Sequence, residues 1–242
     1  MNTLAVILAR AGSVGLANKH LLPLCGKPVI SYTFAHARAA STLTRIVVSS
    51  DCREIRDLAG CANLEAIARP ACLATGDASV QDVMLHAMDT VECTSPFRAD
   101  ALVMLYGNVP VRPAGAIDGA VNMLFETGCD SVRSFCPVGK WHPAWMSRLE
   151  GGRVVALQPG SIHRRQDLTP LFLHDGAVVA VSRASMLRGR TCPADPHAFF
   201  GDDRRAIETG AGETVEIDQL RDLYWAQAVL HEGENKKVRI AS

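Results

Sequence analysis

The chain has 242 residues, of which 48% are hydrophobic, and this is enough for one large or two small domains with a buried core. Its 25 basic and 25 acidic residues balance, which argues against a surface dedicated to nucleic acid or to an anionic membrane. No apolar run approaches the ~20 residues that span a bilayer, and no basic cluster precedes an apolar segment near the N-terminus. We therefore expect neither a nucleic acid nor a membrane as a partner.

The first part of the chain alternates short apolar runs with longer amphipathic patterns. In chain order these predict a strand at 4–9, a helix at 28–40, a strand at 45–50, a helix at 51–60, a strand at 64–68, a helix at 79–91, a strand at 101–106, a helix at 115–128 and a strand at 130–135. Asp51 is expected to cap the second helix and Gly60 to end it. The alternation predicts an α/β fold with a mostly parallel, Rossmann-like sheet and helices on both faces. Because ligands of such sheets bind at the carboxyl ends of the strands, the polar stretches there should converge.

The segment 137–176 breaks this rhythm, since it is rich in Pro, Gly, Trp and His and shows little periodicity. We predict that it is an arm-like insertion within a single domain covering 1–242, with a hairpin around Gly151 and Gly152. Strands at 177–182 and 214–217 are expected to resume the sheet, and a helix over 218–232 to follow.

Eight cysteines are spread along the chain, and none of them forms a CxxC pair. A zinc site would need closely spaced ligands, and most of these cysteines lie inside apolar or helical patterns. The pattern predicts buried, reduced thiols in a cytoplasmic protein.

The stretch LARAGSVGLANKH at 8–20 follows the first predicted strand. Its glycines, Gly12 and Gly15, match neither the GxGxxG dinucleotide fingerprint nor the GxxxxGK[ST] loop. A glycine-rich turn exposes backbone N–H groups that can wrap a phosphate, and Arg10 and Lys19 would add charge-assisted contacts. The same residues also fit a plain turn with solvated charges, so this stretch alone leaves both interpretations open.

Glu216 and Asp218 are the best candidates for metal ligands. Residues two apart on a strand share a face, so both carboxylates can point at one cation. Oxygen ligands that leave part of the coordination sphere to phosphates suit Mg²⁺. The alternative is two solvated acids on an edge strand.

Six segments carry a resemblance, in chain order: ARAGSVGLANKH (9–20) followed by GKP, VVSSD (47–51), ARPACLATGDAS (68–79), YGNVPVRPAGAID (106–118), RRQDLTPLFLHDGAVVAV (164–181) and TVEID (214–218). Together they resemble the motifs of the acylneuraminate and 3-deoxy-octulosonate cytidylyltransferases, and they cover nearly the whole chain. The resemblance implies that the anomeric hydroxyl of a keto-sugar acid attacks the α-phosphate of CTP, giving a CMP-sugar and pyrophosphate. It also implies a homodimer.

The resemblance assigns roles to particular residues. Arg10 and Lys19 would be catalytic and would stabilise the triphosphate, while Mg²⁺ would be held by Glu216 and Asp218. The implied nucleotide-binding residues, of which Arg69, Ala78 and Ser79 would read the cytosine, are Ala9, Gly12, Ser13, Gly15, Arg69, Ala78, Ser79 and Asn108. The implied sugar-binding residues are Tyr106, Lys140, His142, Arg165 and Gln166. We expect Trp141 and Trp145 to pack in the core or in the dimer interface.

Several positions depart from the family pattern. His20 follows Lys19 where Asn is usual, Asn108 and Tyr106 replace an Asp and a Gln of the octulosonate branch, and Asp175 replaces an Asn. These changes leave the acceptor open. The alternatives are a nucleotidyltransferase of the same fold that uses GTP with a sugar phosphate or CTP with a phosphonate, and a non-catalytic nucleotide-binding relative.

Overall fold

The computed structural model of the protein describes residues 1–12, 15–158, 160 and 162–241. The strands in this part of the chain are β1 (Thr3–Leu8), β2 (Pro23–Leu24), β3 (Lys27–Pro28), β4 (Arg45–Ser50), β5 (Glu65–Ala68), β6 (Ala101–Tyr106), β7 (Ser131–Pro137), β8 (Ser147–Glu150), β9 (Arg153–Ala156), β10 (Phe172–Ser182) and β11 (Arg204–Glu208). The α-helices are α1 (Val29–Ala39), α2 (Arg53–Cys61), α3 (Val80–Thr94), α4 (Ala116–Thr127), α5 (Arg183–Thr191) and α6 (Leu220–Ala241).

Seven strands form the central sheet, in the order β11-β7-β10-β6-β1-β4-β5. Strand β10 runs antiparallel to both of its neighbours, whereas the other pairings are parallel. The predicted mostly parallel α/β sheet is therefore confirmed.

Strand β1 shows why the fold buries both faces of the sheet. Ala5 and Ile7 pack into the core formed with α1, α2 and α4, while Leu4 and Val6 pack into the core formed with α3 and α5. Because both faces of this central strand are buried, its sequence TLAVIL is a continuous apolar run and does not alternate. The predicted placement of helices on both faces is confirmed as well.

The last part of the sheet differs from the prediction. Residues 214–217 do not form a sheet strand and make only an isolated bridge between Val215 and Val111. The edge strand is β11, whose sequence RRAIE is largely exposed and charged. Charged side chains are common on edge strands because they discourage pairing with another chain, so β11 lacks the apolar pattern that identifies buried strands.

Some helices begin or end at other residues than the sequence predicts. The cap of α2 is Cys52 and not Asp51, whose carboxylate instead accepts a hydrogen bond from the backbone N–H of Ala11 at 2.8 Å. Helix α2 ends at Cys61, one residue past Gly60. Helix α5 was not predicted, and the backbone of α6 extends to Ala241.

The predicted insertion lies between β7 and β10, which pair at its base through Pro137 and Phe172. Strand β10 therefore begins inside the segment assigned to the insertion. The hairpin of β8 and β9 turns at Gly151 and Gly152, whose φ angles of 56° and 82° suit glycine, and this confirms the predicted hairpin.

All eight cysteines are free thiols, but the prediction that they are buried was wrong for most of them, since only Cys129 is fully buried. Four are exposed, namely Cys61, Cys72, Cys93 and Cys192. Within the described residues, no helix combines the length and the apolar character needed to cross a membrane.

Candidate active site

A cleft of about 270 Å³ opens at the carboxyl ends of β1 and β6. The polar stretches that follow the strands converge there, as expected for a sheet of this kind. Seven of the predicted site residues line the cleft: Arg10, Lys19, Arg69, Ala78, Tyr106, Asn108 and Glu216.

The glycine loop after β1 forms one wall of the cleft. Ala9 is buried and its backbone N–H donates to the carbonyl of Ser49 at 3.2 Å, which holds the start of the loop against β4. Gly12 has a φ of 71°, a conformation that glycine adopts without strain. A Cβ at Gly15 would lie 2.7 Å from the carbonyl oxygen of Asp218, so glycine is required there for close approach. Ser13 lies outside the described residues.

The two predicted catalytic cations both line the cleft and contact different parts of the chain. The Nη1 of Arg10 donates to the carbonyl of Ala74 at 3.3 Å, beyond β5. The Nζ of Lys19 pairs with Oδ1 of Asp218 at 2.6 Å, and the Lys19 side chain is only 16% exposed. Lys19 is thus a mostly buried cation whose single described ionic partner is one of the predicted metal ligands.

Of the three predicted base-reading residues, Arg69 and Ala78 line the cleft. Arg69 is 9% exposed and donates from Nε and Nη2 to the hydroxyl and carbonyl of Ser49, at 3.2 and 2.8 Å. Ala78 lines the cleft, but the hydroxyl of Ser79 accepts from the backbone N–H of Asp82 at 3.0 Å and so caps α3. The structure therefore places Arg69 and Ala78 at the cavity, and it uses the Ser79 side chain in the helix.

Asn108 brings the two predicted metal ligands together. Its Nδ2 donates to Oε1 of Glu216 at 3.1 Å and to the carbonyl of Ile217 at 3.0 Å, and it lies 3.4 Å from Oδ1 of Asp218. The backbone N–H of Ile217 returns a hydrogen bond to the Asn108 carbonyl at 2.8 Å. The two acids approach each other at this amide, and not through the pleat of a strand as expected; their role as metal ligands stays a prediction.

The charges in the cleft perturb one another. Part of the Glu216 side chain remains in solvent, yet the protein atoms crowded around its carboxylate raise its pKa, and the negative charge of Asp218 raises it further. His20 is buried in the cleft wall, and burial together with the nearby Lys19 ammonium lowers its pKa to about 4. His20 is therefore a neutral imidazole at physiological pH, and its Nδ1 has no hydrogen-bond partner within the described structure.

Asp175 positions the segment that carries the acids. Its Oδ1 accepts from the Ser134 hydroxyl and from the backbone N–H of Ala177, and its Oδ2 accepts from the hydroxyls of Thr209 and Thr214, both at 2.7 Å. These hydrogen bonds lower the pKa of Asp175 against the opposing effect of its partial burial. The carboxylate ties β7 and β10 to the segment that leads to Glu216.

Arg112 is a buried positioning residue that sequence reasoning did not identify. Its guanidinium donates to the carbonyls of Tyr106, Val109 and Ala177, and to the Thr33 hydroxyl. Burial with mostly neutral partners lowers its pKa to about 9. The turn after β6, which carries Asn108, is therefore fixed by a side chain outside the cleft. An arginine within the otherwise apolar stretch VPVRPAGAI was the available signal.

The predicted sugar-binding residues of the insertion do not line the cleft. His142, Arg165 and Gln166 surround a separate cavity of about 460 Å³ at the base of the insertion. Both ring nitrogens of His142 are engaged, because Nδ1 accepts from the Ala144 N–H and Nε2 lies 3.1 Å from the Thr169 carbonyl. The exposed Lys140 places its ammonium 4.9 Å from the ring centroid of Trp141.

The chain belongs to the cytidylyltransferase family, because the family model described as "Cytidylyltransferase" matches residues 4–185. The resemblance inferred from the motifs is thereby confirmed.

Two curated relatives are similar along the chain. The chain is 29% identical to an N-acylneuraminate cytidylyltransferase of Streptococcus agalactiae serotype V, over 98% of this chain and 56% of that protein. It is 27% identical to a CMP-N,N′-diacetyllegionaminic acid synthase of Legionella pneumophila, over 93% of this chain and 94% of that protein. The chain thus spans about half the length of the streptococcal relative.

A solved structure supports the fold. It is described as a CMP:2-keto-3-deoxy-manno-octonic acid synthetase complexed with CTP, and it superposes with a TM-score of 0.74 at 19% identity, covering 96% of this chain and all of that chain.

Proposed function

We propose that this chain transfers CMP from CTP to a keto-sugar acid, either sialic-acid-like or 3-deoxy-octulosonate-like, with release of pyrophosphate. The observation that carries the proposal is the ion pair of the mostly buried Lys19 with Asp218, which the Asn108 amide holds beside Glu216 at the cleft. The names of the family relatives, which specify cytidylyltransferases and CMP-sugar synthases, support this proposal.

The reaction forms one bond to the α-phosphorus and breaks another. The anomeric hydroxyl oxygen attacks, and the bond to the β-phosphate oxygen breaks so that pyrophosphate leaves with that electron pair. The hydroxyl proton passes to Glu216, whose carboxylate pKa is raised by the protein atoms crowded around it and by the negative charge of Asp218.

Catalysis in this proposal is mainly electrostatic and positional. Backbone N–H groups of the glycine loop and the cations Arg10 and Lys19 bind the triphosphate and stabilise the charge that builds up as pyrophosphate leaves. Binding of the triphosphate would compete with Asp218 for the Lys19 ammonium. Arg69 offers donors to the O2 and N3 acceptors of cytosine, and the small Ala78 lets the base approach the backbone.

The donor set of the cleft fits Mg²⁺. The described residues contain no group of three or more His, Cys, Asp and Glu side chains that could hold a metal. In this proposal Glu216 and Asp218 supply two oxygen ligands, and phosphate oxygens of the nucleotide supply others. The Asn108 amide presents its nitrogen to both carboxylates and is therefore not a third oxygen ligand in this arrangement. When bound, Mg²⁺ would neutralise charge on the transferring phosphoryl group.

We also propose a homodimer that uses the insertion. Several apolar side chains of this arm are exposed, and Trp141, Leu149 and Val154 are 68%, 79% and 73% accessible. Exposed apolar patches of this kind mark interaction sites. A second copy would also account for Lys140 and Arg165 as sugar ligands, because in their own chain these residues do not line the cleft.

The departures from the family pattern favour a changed acceptor as the second candidate. His20, Tyr106 and Asn108 all line the cleft, so they alter the surroundings of the nucleotide and of its acceptor more than the core. The cytoplasmic location and the absence of nucleic-acid and membrane partners stay predictions.

Thermal unfolding with each of ATP, CTP, GTP and UTP, with and without Mg²⁺, tests the nucleotide part of the proposal. A ligand at 100 times its dissociation constant adds about 2.7 kcal/mol, which raises the Tm of a chain of this size by roughly 5–10 °C. A CTP-selective rise that Mg²⁺ enhances supports the proposal. A GTP-selective rise would favour the alternative base, and no rise with any nucleotide would favour a non-catalytic relative.

A further inference from the structure

Two arginines and two phenylalanines form a cluster beside the cleft, and none of the four has a role in the reaction proposed above. The guanidinium of Arg133 lies 5.0 Å from the ring centroid of Phe135 and 4.4 Å from that of Phe200, and the guanidinium of Arg204 lies 5.8 Å from the Phe200 centroid. We call Arg133, Phe135, Phe200 and Arg204 the arginine–phenylalanine cluster. A cavity of about 370 Å³ is lined by three of these residues, together with Phe172, Arg205, Ala206 and Glu208.

The strand register puts this cluster on the cleft side of the sheet. Val179 of β10 pairs with both Arg133 of β7 and Met104 of β6, so the three side chains share one face. Tyr106, two residues after Met104, lies on that face and lines the cleft. The positive charge of Arg133 lowers the pKa of Tyr106, against the larger effects of burial and of Glu216. The cluster is therefore a neighbour of the cleft across Tyr106.

The two arginines have no carboxylate within ion-pair distance among the described residues. Arg204 donates from Nε to the carbonyl of Gly201 at 2.6 Å. Its positive charge contributes to lowering the pKa of Asp130, but the Asp130 carboxylate accepts its hydrogen bonds from the backbone N–H groups of Asp202 and Asp203. The positive charge of Arg204 and burial together lower the pKa of Arg133, so the guanidinium groups repel each other. By contrast, neighbouring Arg205 pairs with Asp203 at 3.0 Å.

The half-buried Arg133 and the exposed Arg204 repel each other and lack an anionic partner among the described residues, so they are arranged to receive an anion from outside the chain. The aromatic rings hold Arg133 without supplying a negative charge, so its guanidinium N–H groups remain available. A carboxylate is the planar partner that a guanidinium binds through two parallel hydrogen bonds. Glu208, which lines the same cavity, would repel a second acid and accept from a hydroxyl or an amide.

We propose that the arginine–phenylalanine cluster binds the carboxylate of the acidic acceptor through Arg133 and Arg204. This inference rests on the proposed function, and it names two specificity-determining residues for the acceptor. The apolar ring of Phe172 and the acid Glu208 border the rest of the acceptor.

Steady-state kinetics of Arg133→Met and Arg133→Lys test the proposal with N-acetylneuraminate, N,N′-diacetyllegionaminate and 3-deoxy-manno-octulosonate. Loss of a charge-assisted pair should raise the acceptor KM about tenfold or more in Arg133→Met, while the CTP KM stays within about twofold. Arg133→Lys should recover only part of the loss, since Lys cannot pair bidentately. The control Arg53→Met removes an exposed arginine that is ion-paired within α2, and it should change neither constant. An unchanged acceptor KM in Arg133→Met would overturn the proposal.

A second measurement is independent of turnover. Phenylglyoxal modifies accessible arginines, and peptide mass spectrometry can follow its reaction at Arg133 and Arg204 in the wild-type chain, with Arg53 as an internal reference. At least one of the three acids should slow modification of Arg133 and Arg204, whereas its neutral methyl ester should not. Equal protection by acid and ester, or protection by none of the acids, would overturn the carboxylate site. Protection of the two arginines without formation of any CMP-sugar would support the carboxylate site and count against the proposed reaction. Formation of CMP-sugar with an unchanged acceptor KM in Arg133→Met would support the reaction and count against the site.

Discussion

Replacing Asp175 by Ala should weaken both stability and activity, although Asp175 does not line the cleft. Its carboxylate accepts four hydrogen bonds, from Ser134, Ala177, Thr209 and Thr214. At roughly 0.5–1 kcal/mol for each bond at a half-buried site, the loss of all four amounts to about 2–4 kcal/mol of unfolding free energy. Since Thr209 and Thr214 precede the two acids, the loss should also loosen the segment that holds Glu216.

Asp175→Asn is the matched control. Its amide oxygen keeps two acceptor positions, and its nitrogen can donate to threonine hydroxyls that rotate, so it should lose only about 1 kcal/mol. Urea titration measures the stability of both variants, and kcat/KM with CTP measures the positioning of the acids. Asp175→Ala with wild-type stability, or with wild-type kcat/KM at a temperature where it is fully folded, would refute the positioning role.

Three further predictions concern the cleft. Lys19→Ala should keep the fold, as circular dichroism would show. It should lower kcat by about 10²–10³-fold, because a cation that stabilises the leaving pyrophosphate is lost, and a near-normal kcat would contradict a catalytic role for Lys19. Glu216→Gln and Asp218→Asn should each raise the Mg²⁺ concentration for half-maximal activity, and titrations that overlay wild type would place the metal elsewhere. His20, with a pKa lowered from 6.5 to about 4, binds a proton more readily in the unfolded chain, so stability should fall as pH drops from 6.5 toward 4. In urea titrations His20→Gln should lose part of that pH dependence, and an unchanged dependence would contradict the buried neutral imidazole.

The buried elements of the fold were predictable because the pattern of apolar residues in each one follows from which of its faces are buried. Strand β1 is apolar throughout since both of its faces are buried, and helix α3 shows apolar residues on one face only. The exposed strand β11 carries no such pattern, because nothing in its environment selects apolar residues. Residues 214–217 have β-like composition, but Asn108 and Val111 hold them as an irregular segment beside the cleft.

The candidate site was predictable where its residues follow one another closely in the sequence. Lys19 and Arg10 belong to a local glycine-rich loop that suggests a phosphate site, and the resemblance to the family favours that interpretation over a plain turn. The roles of Asp175 and Arg112 could not be inferred, because their partners are up to 79 residues away and the contacts exist only in the folded sheet. Arg133 was missed for the same reason, since its aromatic partner Phe200 is far from it in the sequence and meets it only in the folded chain.

Direct detection of the product tests the central claim. The purified chain is incubated with CTP, Mg²⁺ and each of N-acetylneuraminate, N,N′-diacetyllegionaminate and 3-deoxy-manno-octulosonate, and CMP-sugar and pyrophosphate are quantified by mass spectrometry and a coupled assay. We predict equimolar CMP-sugar and pyrophosphate with at least one acid, and about a hundredfold less or lower still with Lys19→Ala at matched concentration and time. A chain that binds CTP but yields no CMP-sugar from any of the three acids would contradict the account.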